Sequence, residues 1–258
     1  MGFHSVKISR RKFLQYFLCS LPAGLAADGF FIERKWVGIK KLTVGKNPSH
    51  RIVHFTDIHH KGDKSYLSGV ISKINTLCPD FACFTGDLVE DKVYLSEALS
   101  ILSRISCPLF GVPGNHEYWS GASFDKIEKV FEATGGKWLM DQEVTTNAGK
   151  VAITGATGHN IDLKQKLKAD KRLLLTHYPV FVKKLKSIKF DLILAGHSHG
   201  GQVRIPFFGA LILPYNVGRY DRGLFKTGSG PLYVNPGIGC YLLPVRFCCR
   251  PEITVIQF

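Results

Sequence analysis

The sequence predicts an α/β fold in which packed mixed β-sheets carry helices on their outer sides. Three observations predict it. From Arg51 onward short apolar runs alternate with amphipathic stretches, the later part of the chain is richer in strand-like runs, and 258 residues with 45% apolar content suffice for one sizeable core. Charged residues at 21% and aromatic residues at 12% exclude a disordered chain. No fixed-period repeat or low-complexity tract marks a solenoid or a linker.

Residues 1–50 are expected to form a leader, and residues 51–258 the folded domain. Ser9-Arg10-Arg11-Lys12-Phe13-Leu14-Gln15 resembles a twin-arginine export signal, departing from it at Gln15, where lysine is usual. An uncharged stretch then runs to about Ala27, shorter than the ~20 residues that span a bilayer as a helix. Two readings follow: a signal cleaved near Gly24-Leu25-Ala26, or an uncleaved anchor lying in the headgroup layer. The expected location is the inner membrane at its cytoplasmic face, with twin-arginine export as the alternative. The net charge of +14 favours polyanionic partners, and the positive residues cluster at the N-terminus and between Lys164 and Lys189. Clustering beside an apolar segment points to a membrane surface. Nucleic acid is an unlikely partner, since no nucleic-acid-binding module is recognisable. Seven cysteines without a CxxC pair exclude a zinc ribbon and read mostly as reduced core residues.

Within the domain, strands are predicted at 52–56, 81–84, 109–112, 151–154, 173–176, 192–195, 232–235 and 253–258, and helices at 65–77 and 94–105. Polar residues follow five of these strands: Asp57 and His59; Gly86-Asp87; Gly114-Asn115-His116-Glu117; His177; and Gly196-His197-Ser198-His199. Loops at the carboxyl ends of strands are where α/β folds build their sites. Singly each has an ordinary reading, such as a capping Asp, a turn or a surface His. Jointly, in this order, they are hard to explain by solvation. His54, His60 and His159 fall outside the pattern and read as surface or structural.

This string resembles the calcineurin-like metallophosphoesterase superfamily from about Ile52 to the C-terminus. The twin-arginine start, the run Gly196-His197-Ser198-His199-Gly200-Gly201-Gln202 and the ending Arg246-Phe247-Cys248-Cys249-Arg250-Pro251-Glu252-Ile253-Thr254 look like its YaeI/YkuE branch of bacterial phosphodiesterases. That branch is similar to the UDP-2,3-diacylglucosamine pyrophosphatase of lipid A synthesis. One departure is Asn235-Pro236, where the branch more often carries Ser-Arg. The resemblance implies a four-layer α/β/β/α sandwich of two mixed sheets flanked by helices. It assigns Asp57, His59, Asp87 and His199 to one metal ion and Asp87, Asn115, His177 and His197 to a second, with Asp87 bridging. His116 is the implied catalytic residue, stabilising developing charge or protonating the leaving oxygen, and Glu117 is expected to orient it.

A phosphodiester repels a hydroxide nucleophile, and two divalent ions about 3.5–4 Å apart offset that charge, lower the pKa of a bridging water and align attack. Mixed nitrogen and oxygen ligands without thiolate suit Mn²⁺, Fe or Zn²⁺. The expected function is therefore a membrane-associated hydrolase of a phosphodiester or pyrophosphate, with a sugar-nucleotide lipid as one candidate substrate; the first alternative is a broad-specificity phosphodiesterase, followed by a nuclease and a non-catalytic membrane protein. The apolar run Phe207, Phe208, Leu211, Ile212 and Leu213 either packs in the core or admits acyl chains.

Overall fold

Strands that are apolar at every position need cover on both faces, and the chain supplies it by stacking two sheets. The computed structural model describes residues 9–146, 150–158, 163, 167–185 and 188–258. The predicted His159, and Lys164, Lys166 and Lys186 of the basic run, lie outside them.

The first sheet has six strands in the order β1 (Gly38–Thr43), β14 (Glu252–Gln257), β2 (Arg51–Phe55), β3 (Phe81–Phe84), β4 (Leu109–Gly111) and β5 (Lys137–Trp138). The second runs β12 (Gly223–Thr227), β13 (Gly230–Val234), β9 (Leu192–Ala195), β8 (Lys171–Thr176), β7 (Val151–Ala156) and β6 (Glu143–Thr145). A short hairpin, β10 (Arg204–Ile205) with β11 (Gly209–Ala210), stands apart from both. Strands β2 to β5 are mutually parallel, as are β7, β8, β9 and β13, so each sheet aims several carboxyl ends at one edge.

The two-residue period of a strand sorts its side chains between layers. Ile52, Cys83, Phe110, Leu173, Leu175, Leu192 and Leu194 pack between the sheets. Val53, Phe55, Ala82 and Phe84 face the opposite way, onto helices α2 (Lys64–Thr76), α3 (Leu95–Leu102) and α5 (Phe124–Ala133). On α2, Leu67, Val70, Ile71 and Ile74 form the buried stripe at helical spacing, and the Asp63 carboxylate caps its start by accepting from the Tyr66 N–H at 3.1 Å. The outer side of the second sheet is covered by the 3₁₀ segment Pro179–Lys184 and its flanking loops, through Phe181, Val182 and Leu185. The two predicted helices form, and α5 is a further helix that the sequence reading did not include.

The leader forms α1 (Arg10–Ala27), capped by Ser9, with Phe13, Leu14, Tyr16 and Phe17 more than half exposed. Among the described residues no helix is long and apolar enough to cross a membrane. Past α1 the leader joins the domain. Glu33 is buried and its carboxylate accepts from the backbone N–H groups of Cys248 at 2.8 Å and Cys249 at 2.5 Å. Strand β1 then pairs in parallel with β14 along six residues. Part of the 1–50 segment is thus the edge of the first sheet. All seven cysteines are free, and Cys83, Cys107 and Cys249 are buried.

Candidate metal centre

The ladders of both sheets continue past the strand ends and bring the polar loops together. After β2 and β3, the Asp57 N–H donates to the Gly86 carbonyl at 2.9 Å and the His59 N–H to the Asp87 carbonyl at 3.0 Å. After β8 and β9, the Gly196 N–H donates to the His177 carbonyl at 3.1 Å. The two sheets are then tied across the gap: the His197 N–H donates to both Asp57 carboxylate oxygens at 3.1 and 3.0 Å, and His177 Nδ1 to the Thr85 carbonyl at 2.6 Å. Asn115 and His116 open α4 (Asn115–Trp119), and the His116 N–H donates to Asp87 Oδ1 at 2.8 Å. All seven predicted metal-binding residues and His116 therefore line one site.

Backbone conformation shows how tightly the loops are drawn in. Asp57, His59, Asp87, His197 and His199 all adopt left-handed conformations, with φ of 51°, 43°, 63°, 67° and 50°. Such conformations cost non-glycine residues free energy and persist where surroundings impose them, commonly at functional sites. Gly114 leaves no room for a side chain, since a Cβ there would lie 2.2 Å from Asp87 Oδ1.

The side chains form two donor groups sharing Asp87: Asp57, His59, Asp87 and His199 in one, Asp87, His177 and His197 in the other. Asn115 joins the second through its Oδ1, 3.1 Å from His177 Nε2. Partners on the outer nitrogens of His59, His177 and His197 orient these rings. His177 donates through Nδ1 to Thr85, and His197 through Nε2 to the Tyr215 carbonyl at 2.7 Å, which turns His177 Nε2 and His197 Nδ1 toward one another at 3.1 Å. His59 directs Nδ1 to Glu90 Oε2 at 2.8 Å, and its Nε2 faces His199 Nε2 at 3.0 Å. Asp87 Oδ2 lies between the pairs, 3.4 Å from His59 Nε2 and 3.3 Å from His177 Nε2. With a cation bound, each facing imidazole pair would turn nitrogen lone pairs toward it, and two such pairs flank one carboxylate. The donor set fits two divalent ions.

Electrostatics divide the imidazoles, two of them neutral and one holding a proton that a bound cation would replace. Burial pushes the His199 imidazole well below its ordinary value, and burial with the neighbouring His177 charge lowers His197 to about 4, so both are neutral ligands at pH 7. His177 moves the other way, to about 9: burial opposes its charge, but the Asp87 carboxylate outweighs burial. Burial would raise Asp87, yet the His177 and His59 charges hold it well below the usual carboxylate range. Asp57 is raised to about 6 by burial, against the opposing effect of His177.

Two roles differ from the sequence reading. Glu117 does not touch His116; its buried carboxylate accepts from the N–H groups of Asp87, Leu88 and Gly114 at 2.9, 2.6 and 2.6 Å, and so shapes the loops beneath the site. Glu90, which the sequence reading missed, lies 2.8 Å from His59 Nδ1 and 3.5 Å from His116 Nδ1. Its signal was its position three residues after Asp87, in the same loop. His60 points away to Glu97 Oε1 at 2.7 Å, and His54 is buried against Thr85 Oγ1 at 2.9 Å, so both are structural. The cleft above the metal groups has a volume of about 250 Å³, and its wall is aromatic, from Trp119, Tyr178, Tyr215 and Tyr241. Among the described residues no lysine or arginine lines it.

Two mixed sheets that direct Asp, Asn and His residues into paired cradles define a metal-dependent hydrolase of phosphate esters. The sequence profile of the calcineurin-like phosphoesterase family matches residues 50–201, and the chain belongs to that family. It is 30% identical to the uncharacterized metallophosphoesterase YkuE of Bacillus subtilis over 280 aligned positions, covering 96% of this chain and 97% of YkuE. It is 28% identical to the phosphodiesterase YaeI of Escherichia coli, covering 97% and 99% of the two chains. A solved dimetal phosphatase from Danio rerio aligns with a TM-score of 0.48 and 11% identity, over 82% of this chain and 100% of its own.

Proposed function

We propose that this phosphoesterase is a binuclear-metal hydrolase of a phosphodiester or pyrophosphate bond, working at a membrane surface on a sugar-nucleotide lipid such as UDP-2,3-diacylglucosamine. The observation that carries the reaction class is the two imidazole pairs at 3.0 and 3.1 Å on either side of Asp87. In this reading Asp57, His59, Asp87 and His199 hold one ion, and Asp87, Asn115, His177 and His197 the other. Mn²⁺, Fe and Zn²⁺ all suit these ligands. The ions supply charge neutralisation at the phosphate and a nucleophile at neutral pH.

The chain's own residues supply position and proton handling. With His116 Nδ1 turned toward Glu90, its Nε2 is the atom left to meet a substrate oxygen, where it stabilises charge or gives up a proton to the leaving group. Glu90 holds His59 and His116 in register, since its Oε2 serves both rings. The four aromatic side chains of the cleft offer stacking surfaces for a planar ring, which supports a nucleotide-bearing substrate.

The proposed location is the inner membrane at its cytoplasmic face. The exposed apolar residues of α1, its basic start and the free cysteines support it. The second reading, a phosphodiesterase of broad specificity, is favoured by the modest cleft volume, which suits a phosphoester with one ring. A metal-reconstituted assay of bis-p-nitrophenyl phosphate beside UDP-2,3-diacylglucosamine, with Asn115→Ala as control, decides between them. Hydrolysis of the lipid much faster than the diester supports the first reading, and activity on the diester alone supports the second. No hydrolysis of either would overturn both.

A further inference from the structure

Beside the cleft, the β10–β11 hairpin carries Phe207 and Phe208 at its turn, with relative exposures of 105% and 89%, and the chain leaving it presents Ile212 at 80%. A second tip carries Leu242 and Leu243 at 71% and 63%. Isolated exposed apolar residues are ordinary; several on protruding tips around one cleft mark an interaction surface. The two tips are joined by Gln202, whose Nε2 donates to the carbonyls of Tyr241 at 3.2 Å and Leu243 at 3.4 Å, while its Oε1 accepts from the Tyr241 N–H at 2.5 Å. The same loop holds the leader, since the Arg246 N–H donates to the Gly29 carbonyl at 3.1 Å.

This rim is built into the metal centre. The chain leaving the hairpin accepts from His197 Nε2 through the Tyr215 carbonyl, and Tyr241 packs with its ring centroid 5.8 Å from His59 and 6.3 Å from His199. Its charge is mainly positive. Residues 202–252 contain six lysines and arginines against Asp221, which is paired with Arg204 at 2.8 Å, and Glu252, which with Glu33 lines the same pocket as Arg222 and Arg250. Arg219, Arg222, Lys226 and Arg250 are exposed. Apolar tips with exposed cations of one sign suit lipid tails beneath anionic headgroups, whereas the core of a protein interface is depleted of charge.

We propose that the Phe207–Phe208 hairpin and the Leu242–Leu243 tip form a docking surface for an anionic lipid bilayer, setting the mouth of the metal centre against the headgroups. The use of this surface in catalysis rests on the reading above, that the hydrolysed bond belongs to a lipid-borne substrate. Docking itself is measured separately, by co-sedimentation of the full-length protein with phosphatidylglycerol–phosphatidylethanolamine vesicles and with phosphatidylcholine vesicles. The wild type is expected on the anionic vesicles. The double variants Phe207→Ser/Phe208→Ser and Leu242→Ser/Leu243→Ser should each bind roughly tenfold or more weakly, while hydrolysing soluble bis-p-nitrophenyl phosphate within about twofold of wild type. The fluorescence of Phe207→Trp should be quenched by brominated lipid.

Absence of wild-type vesicle binding overturns the proposal, as does unchanged binding by both double variants, which would leave α1 as the sole contact. A wild-type dimer that Phe207→Ser/Phe208→Ser converts to monomer also overturns it, in favour of a second copy of the chain. Vesicle binding without hydrolysis of any phosphoester would sink the catalytic reading alone.

Discussion

Asp87 belongs to both donor groups, so its removal disables both at once. Asp87→Ala should lower hydrolysis by roughly 10³-fold or more, and metal analysis should show loss of both bound ions. Glu90→Gln keeps the shape of the side chain but weakens its hold on His59, and should cost about 10- to 100-fold in metal affinity, read by titration of the apoprotein. His54 gives a pH signature apart from the metal groups. Burial lowers its folded-state value to about 3 from 6.5, so the unfolded chain binds the extra proton between those values. Its contribution is therefore complete above about pH 6.5 and is lost as pH falls toward 3, by up to about 1.4 kcal/mol per pH unit. Denaturant unfolding of wild type and His54→Asn at a series of pH values should show the steeper acid loss in wild type. An equal slope would refute it. The eight residues read from sequence were legible because each is a ligating type placed just after an apolar strand. Glu117 was misread because neighbours in sequence need not share a direction on a helical turn: it turns under the loops while His116 turns into the cleft. Tyr241 was illegible, since nothing local announces that a tyrosine from a distant loop will pack on two histidines.

Among the elements, the leader divides at the end of α1. Deleting residues 1–27 removes a helix whose side chains are mostly solvent-facing and should leave the thermal midpoint almost unchanged. Deleting residues 1–43 also removes Glu33 and strand β1, exposes the edge of β14 and should prevent stable folding. Glu33→Ala alone should cost about 2–3 kcal/mol, since it leaves two backbone N–H groups without their acceptor. Equal thermal midpoints for the two deletions would refute the division. Helices α2 and α3 were legible from their apolar spacing. Strand β1 was not: Lys40 and Lys41 are exposed and its two faces do not alternate cleanly, as befits an edge strand whose place is set by β14. Strands β5 and β6, with two and three residues, are too short to carry a periodicity.

For the whole molecule, unbroken apolar runs announced burial on both faces, and hence stacked layers, but not which strands share a sheet. Pairing is decided by neighbours far apart in sequence, as β14 between β1 and β2 shows. The same closure bears on stability. Five left-handed residues around two cation cradles hold strain that bound ions offset, so the metal-free protein should melt lower than the loaded one. At 100 times the dissociation constant each site adds about 2.7 kcal/mol, and a melting point unmoved by chelator would refute the linkage. The position of β14 also sets an order of events during synthesis. The first sheet is incomplete until residues 252–257 have left the ribosome, and Gly237 and Gly239, which pack against the Asp57–Ile58 turn, emerge only shortly before. The amino-terminal arginines are therefore available to any receptor well before the cradles exist. On that order the cradles can hold metal only after the first sheet has closed.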